Sequence, residues 1–230
     1  MVDPLRPLLR HAAWPESYAT SVEQMRLLLA RHGHATSGPD HRWTAEDPLT
    51  ALGHRQADEL GRYVASLRRL PTRIIASPAV RARQTAEACA RELRLEVSID
   101  DRLIEFGSGA ISPFTLSEMF EQMPYDEIWH ADDSAWDGES VGAFWSRTAD
   151  AIEEVIAGGG LPLVVSHGGT TTAILRHLLH VGPGAPDAIH FFMSNAGLSD
   201  VRLRDDRQGR RRSMLMRMND THYLSDVTEV

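Results

Sequence analysis

The chain has no lysine. All 24 of its basic residues are arginines, set against 32 acidic ones, and the formal net charge is −8. That absence excludes a Schiff base, a pyridoxal-phosphate lysine and a phosphate-loop lysine. The acidic balance argues against a nucleic-acid partner, so an anionic ligand must be held by a few local arginines. Cysteine occurs once, as Cys89, which rules out an internal disulfide. Leu95 stands six residues later, so the Cys-x5-Arg loop of a thiolate phosphatase is missing; Cys89 is expected to fill a helix face. There is no Cys cluster and no HExxH, and His32 with His34 would need further ligands. No metal and no cofactor is expected. A long apolar run is lacking too. Val155–Leu175 is uncharged but full of Gly, Ser, Thr and Pro, and reads as helix end, strand and loop, not as a membrane span. Residues 1–24 carry charges and prolines without a signal-type apolar core, and read as an N-terminal extension. A cytoplasmic protein with no membrane partner is the expectation.

What is present alternates between two periods. With 230 residues, 42% of them hydrophobic, the chain fits one large domain over 25–230. Met25–Ala30 and Arg73–Ala76 read as strands. Thr50 caps a helix to about Leu67, and Ser77 with Pro78 at the first helical position starts another to about Leu93. Glu96–Ile99, Leu161–Ser166, Ile189–Phe192, Leu198–Leu203 and Met214–Arg217 read as further strands. Ser140–Ala157 and Thr170–Leu179 read as helices, with Glu139 anchoring the first of them. Arg204–Arg212 reads as a solvated hairpin turn. Strands alternating with helices predict a three-layer α/β/α fold, with a mostly parallel central sheet and an irregular cover segment inserted at about 106–139.

Three of these strands end alike: in Arg31-His32-Gly33, in Ser77-Pro78 with Arg81 close behind, and in His167-Gly168-Gly169. Ligands of open α/β sheets bind beyond the carboxyl ends of the strands, where helix N-termini favour anions. Two arginines, two histidines and those helix ends make a phosphate site. Gly33 and Gly168 let the backbone approach the ligand.

The ordered set "RHG", "LTALGHRQA", "SPAVRARQTA", "GES", "VVSHGG" and "NDTHYL" resembles the histidine phosphatase superfamily, in its phosphoglycerate-mutase-like branch, over about Met25 to Leu224. The resemblance implies that His32 is the nucleophile, with Arg31 and Arg81 binding phosphate. It implies that His167 is the second histidine of the pocket and that Glu105 protonates the leaving group. Asn195 and His222 match positions near the site, though hydrogen bonding within the fold is an equal alternative for both. A neutral imidazole is a competent nucleophile near its reference pKa of about 6.5, provided its other nitrogen donates, as to the Gly33 carbonyl.

Departures from the family pattern bear on substrate. His34, Ala35 and Gly38 replace the usual Glu or Gln, Thr and Asn, leaving His34 as a candidate substrate contact and Thr36 and Ser37 as hydroxyl donors to phosphate. The cover segment contains no Lys or Arg, but it contains Phe106, Phe114, Phe120, Tyr125, Trp129 and Trp136. It offers nothing to hold a second anionic group. This predicts a metal-independent phosphomonoesterase for a small or bulky organic monophosphate. The alternatives are a phosphoglycerate mutase, a protein phosphohistidine phosphatase and a non-catalytic phospho-ligand-binding module. Oligomeric state stays open, a dimer included.

Overall fold

The computed structural model describes residues 25–36, 40–42, 44–107, 138–181 and 191–224, together with Thr115, Glu118 and Ser134. The expectations for residues 1–24, for Ser37, for most of the cover segment and for a strand at Ile189 and His190 lie outside the described residues.

The elements are β1 (Met25–Arg31), α1 (Ala51–Ser66), β2 (Arg73–Ala76), α2 (Val80–Leu93), β3 (Val97–Ile99), α3 (Val141–Ala157), β4 (Pro162–Ser166), α4 (Gly168–Leu178), β5 (Leu198–Asp205) and β6 (Arg211–Asp220), with short 3-10 turns at Asp101–Leu103 and His222–Leu224. One six-stranded sheet runs in the order β3-β2-β4-β1-β5-β6. β3, β2, β4 and β1 are parallel; β5 is antiparallel to β1 and β6 to β5.

The run "LLLA" is apolar at every position because its strand is covered on both faces. Leu28 and Ala30 face Leu60 and Val64 of α1 and Ala86 and Cys89 of α2. Leu27 and Leu29, pointing the other way, face Ile152 and Val155 of α3 and Ile174 and Leu175 of α4. These are the two helical layers of an α/β/α sandwich. Burial pushes the Cys89 thiol up to about 12, which makes it an inert core residue.

Local signals explain most boundaries. Thr50 caps α1 by accepting the Gly53 N–H at 3.1 Å, and Ser140 caps α3 through Ala143 N–H at 3.1 Å. The Arg204–Arg212 stretch is the β5–β6 hairpin turn, with Gly209 at φ +73° and the Asp206 carboxylate accepting from Gln208 and Arg210 N–H. Among the boundaries that differ from expectation, three stand out. α2 begins at Val80 with Ala79 as its uncapped N-cap, and the Ser77 hydroxyl both meets His167 Nε2 and accepts the Ala79 N–H ahead of the helix. α4 begins at Gly168 and includes both glycines, because a distant carboxylate, Glu105, takes the N–H groups of Gly169 and Thr170. Phe191 and Phe192 are not in a strand; the Phe191 carbonyl is spent on the Thr172 hydroxyl at 3.0 Å.

Candidate active site

Neighbouring strands β1 and β4 send their chains to opposite faces, β1 toward α1 and β4 into α4. A crevice opens where adjacent parallel strands part in this way. His32 and His167 are the first residues beyond the two strands, and the His32 N–H still bonds the Ser166 carbonyl at 2.9 Å. Their rings lie edge to face with centroids 5.1 Å apart, both buried.

The His32 ring has a defined tautomer. Nδ1 lies 2.7 Å from the Gly33 carbonyl, which can only accept, so Nδ1 carries the proton. Nε2 is left with its lone pair, and Arg81 Nε donates to it at 3.3 Å. Arg81 is fully buried and its other arm bonds the Thr44 carbonyl at 2.8 Å. Burial, opposed by Glu105, brings its pKa down to about 10, which keeps it a cation at neutral pH. Arg31 donates to the Met193 carbonyl at 2.6 Å. Burial first, then Arg81, holds both His32 and His167 well below the ordinary imidazole range. The same causes disfavour the charged form of the His167 ring.

Glu105 joins the pocket as the cap of α4. Its Oε2 accepts from Gly169 N–H at 2.8 Å, and its Oε1 from Thr170 N–H and Phe106 N–H, each at 3.0 Å. A Cβ on Gly169 would fall 2.5 Å from Oε1, so that glycine makes room for the carboxylate. Arg147 holds the approach to Glu105 by bonding the Arg102 and Ile104 carbonyls at 2.7 and 2.8 Å and pairing with Glu139. Glu139 thus anchors α3, as expected.

A Cβ at Gly33 would lie 2.5 Å from the Gly53 carbonyl oxygen, so its bareness serves close packing on α1. At Gly168 a Cβ would meet only ordinary contacts, nearest 3.9 Å from Arg31 Nε. His34 is tied to the start of α1, with its N–H on Gln56 and its Nδ1 2.8 Å from Thr50 Oγ1. Asn195 donates to the His32 carbonyl at 3.2 Å, beside the Ala196 N–H at 3.1 Å. His222 is exposed, pairs with Asp220 at 2.6 Å and stands edge-on to Tyr63; none of its bonds reaches the two site histidines.

Residues that sequence reasoning passed over hold these groups in place. Thr85 accepts the Gly33 N–H at 3.0 Å. Asn219 takes the Ser194 N–H at 2.7 Å and Tyr223 bonds the Ala196 carbonyl, so "NDTHYL" clamps the 193–197 turn that carries Arg31 and His32. The motif was visible; its contact was not.

A family model described as histidine phosphatase superfamily (branch 1) matches residues 27–215. The chain belongs to the histidine phosphatase superfamily. It is 31% identical over 182 residues to the bifunctional protein Rv2228c of Mycobacterium tuberculosis, a match that takes in 76% of this chain and 50% of that one. The chain thus spans about half the length of that relative. It is 29% identical over 188 residues to a probable phosphoglycerate mutase GpmB of Yersinia enterocolitica, covering 77% and 84%. Among solved structures, the mycobacterial glucosyl-3-phosphoglycerate phosphatase Rv2419c in complex with VO3 superposes with a TM-score of 0.72 at 25% identity, covering 86% of this chain and all of that one. Among the described residues no helix is long and apolar enough to cross a membrane.

The two neutral histidines make the fold acid-sensitive. In the unfolded chain histidine titrates near about 6.5, whereas His32 and His167 titrate well below their ordinary range in the folded protein. Below about pH 6.5 the unfolded state binds more protons. Stability present above that pH is therefore lost as pH falls toward the folded values, by up to about 2.7 kcal/mol per unit for two groups. Thermal melts between about pH 7.5 and 5.5 should drop more steeply for the wild type than for a His32→Gln, His167→Gln double variant. Equal slopes would contradict the neutral-pair assignment.

Proposed function

We propose that the chain is a metal-independent phosphomonoesterase that works through a phosphohistidine on His32. The observation that carries this is the His32 ring: Nδ1 donates to the Gly33 carbonyl, and Nε2 is left unprotonated, with the Arg81 guanidinium donating to it. Nε2 attacks phosphorus while Arg31 and Arg81 hold the non-bridging oxygens, as planar donor forks suit phosphate. The start of α4 adds positive dipole character. Glu105 protonates the departing alkoxide. Its Oε2, which accepts one hydrogen bond against three on Oε1 among the described residues, is assigned this proton. The resulting carboxylate then takes a proton from water, the hydroxide attacks the phosphohistidine, and phosphate and free His32 are released.

Hydrolysis of an aryl phosphate that survives EDTA and is inhibited by vanadate is the expected result. Loss of activity on chelation, restored by a divalent ion, would overturn the metal-independent reading, and no hydrolysis at all would leave a binding module. The VO3 complex of the related mycobacterial phosphatase supports the choice of inhibitor.

Hydrolase is favoured over mutase because nearby cations are already committed. Arg102 pairs with Asp100 and Glu154, and Arg147 with Glu139. A second anionic group left unpaired in a closed site costs several kcal/mol. 3-Phosphoglycerate is therefore expected to give a far lower kcat/KM than aryl or aminoalkyl monophosphates, with no 2-phosphoglycerate formed. Efficient conversion of 3- to 2-phosphoglycerate would establish the mutase instead. A phosphohistidine protein turned over faster than any small ester would establish the protein phosphatase.

A further inference from the structure

The Ser77 hydroxyl, fully buried, lies 2.7 Å from His167 Nε2, across 90 residues of sequence. It also accepts the Ala79 N–H at 3.3 Å. The other ring nitrogen of His167, Nδ1, is buried with no hydrogen-bond partner among the described residues. An imidazole at a helix N-cap could have spent Nδ1 on the helix's free N–H groups. Here Glu105 takes those of Gly169 and Thr170, and His167 makes no capping bond. Nδ1 is thus left over in a pocket whose ring neighbour is His32.

We propose that Ser77 is a positioning residue: its O–H donates to His167 Nε2, fixes the proton on Nδ1, and so gives the phosphate a neutral N–H donor. The proposal rests on the phosphatase reading above for the identity of the ligand. Its physical basis is the proton count. The Ser77 oxygen has a single proton and already accepts one N–H, and Nε2 needs a donor if Nδ1 is to keep its own hydrogen. The opposite tautomer would turn the Nδ1 lone pair toward an anion's oxygens, which is repulsive. Fixing Nδ1–H lets His167 serve without becoming a third cation beside Arg31 and Arg81.

The test uses the full chain with 15N-labelled histidine. Nitrogen NMR reads the tautomer of each ring directly, with His32 as an internal standard of the Nδ1–H form and a His167→Gln sample for assignment. The expected wild-type result is His167 protonated on Nδ1 and bare at Nε2, without added ligand. In Ser77→Ala that preference should disappear, and inorganic phosphate should bind about tenfold more weakly. In Ser77→Thr, which keeps the hydroxyl, both should return. A wild-type His167 protonated on Nε2 overturns the proposal even if no variant folds. So does a Ser77→Ala protein whose His167 signals and phosphate affinity match the wild type. The tautomer is read on the free protein, so failure of the phosphatase reading would appear separately, as a wild type that neither hydrolyses esters nor binds phosphate.

Discussion

Replacing His32 by alanine is expected to lower kcat by about 10^3-fold or more, because the covalent route disappears with the ring. The residue is placed by main-chain contacts on every side. Its N–H bonds Ser166, its carbonyl receives Ala196 N–H and Asn195, and its Nδ1 meets Gly33. Loss of the side chain therefore leaves the backbone frame standing, and the variant should still bind vanadate through the arginines. The accompanying measurement is an alkaline quench during turnover. Wild type should yield an acid-labile, alkali-stable phosphorylated histidine peptide spanning residue 32, and His32→Ala none. Near-wild-type turnover in the variant would sink the nucleophile assignment.

Arg81 should rank second. It is the side chain that touches Nε2 of His32 while fastened to the Thr44 carbonyl, so it both aims the nucleophile and meets the phosphate. Arg81→Ala is expected to lower kcat/KM by about 10^2- to 10^3-fold. Arg81→Lys should recover little, because an ammonium cannot present two donors in one plane. A second readout separates this from general damage. After burial, Arg81 is the main cause that depresses the His32 pKa. Without that cation the acid limb of the kcat/KM profile should move to higher pH. An Arg81→Lys enzyme with wild-type efficiency, or an unmoved acid limb in a folded Arg81→Ala enzyme, would count against the role.

Much of this architecture was legible in the chain. The apolar runs of β1 and β4, the Thr50 cap and the turn within Arg204–Arg212 are local signals, and local signals survive in sequence. The meeting of His32, Arg81 and His167 could be read because each sits at the end of a strand or the start of a helix, and topology brings such ends together. What escaped was contact between distant residues with no local signature. Ser77 looks like a helix cap by every neighbourhood rule, and nothing local marks its bond to His167, 90 residues away. Gly33 reads as a ligand-facing glycine, and nothing in its neighbourhood announces the Gly53 carbonyl packed against it. His222, embedded in a family motif, pairs with Asp220, two residues away, while Asn219 and Tyr223 on either side reach back to the pocket. Sequence pattern marks such a segment without saying which of its side chains does the holding.

The position of β1 in the sheet bears on how the protein is made. The strand that carries "LLLA" is the first described element, yet its two hydrogen-bonding neighbours are β4 and β5: Leu28 pairs with Leu163 on one side and Asp200 on the other. During synthesis a strand with an apolar centre must therefore wait, with both edges bare, until well over a hundred further residues have emerged. Such a chain folds through non-local pairing, which is slow and exposes sticky intermediates. A nascent chain of this topology depends on being shielded from its neighbours while it waits, so cooler expression and abundant chaperones should raise the yield of folded protein more than any change near the pocket.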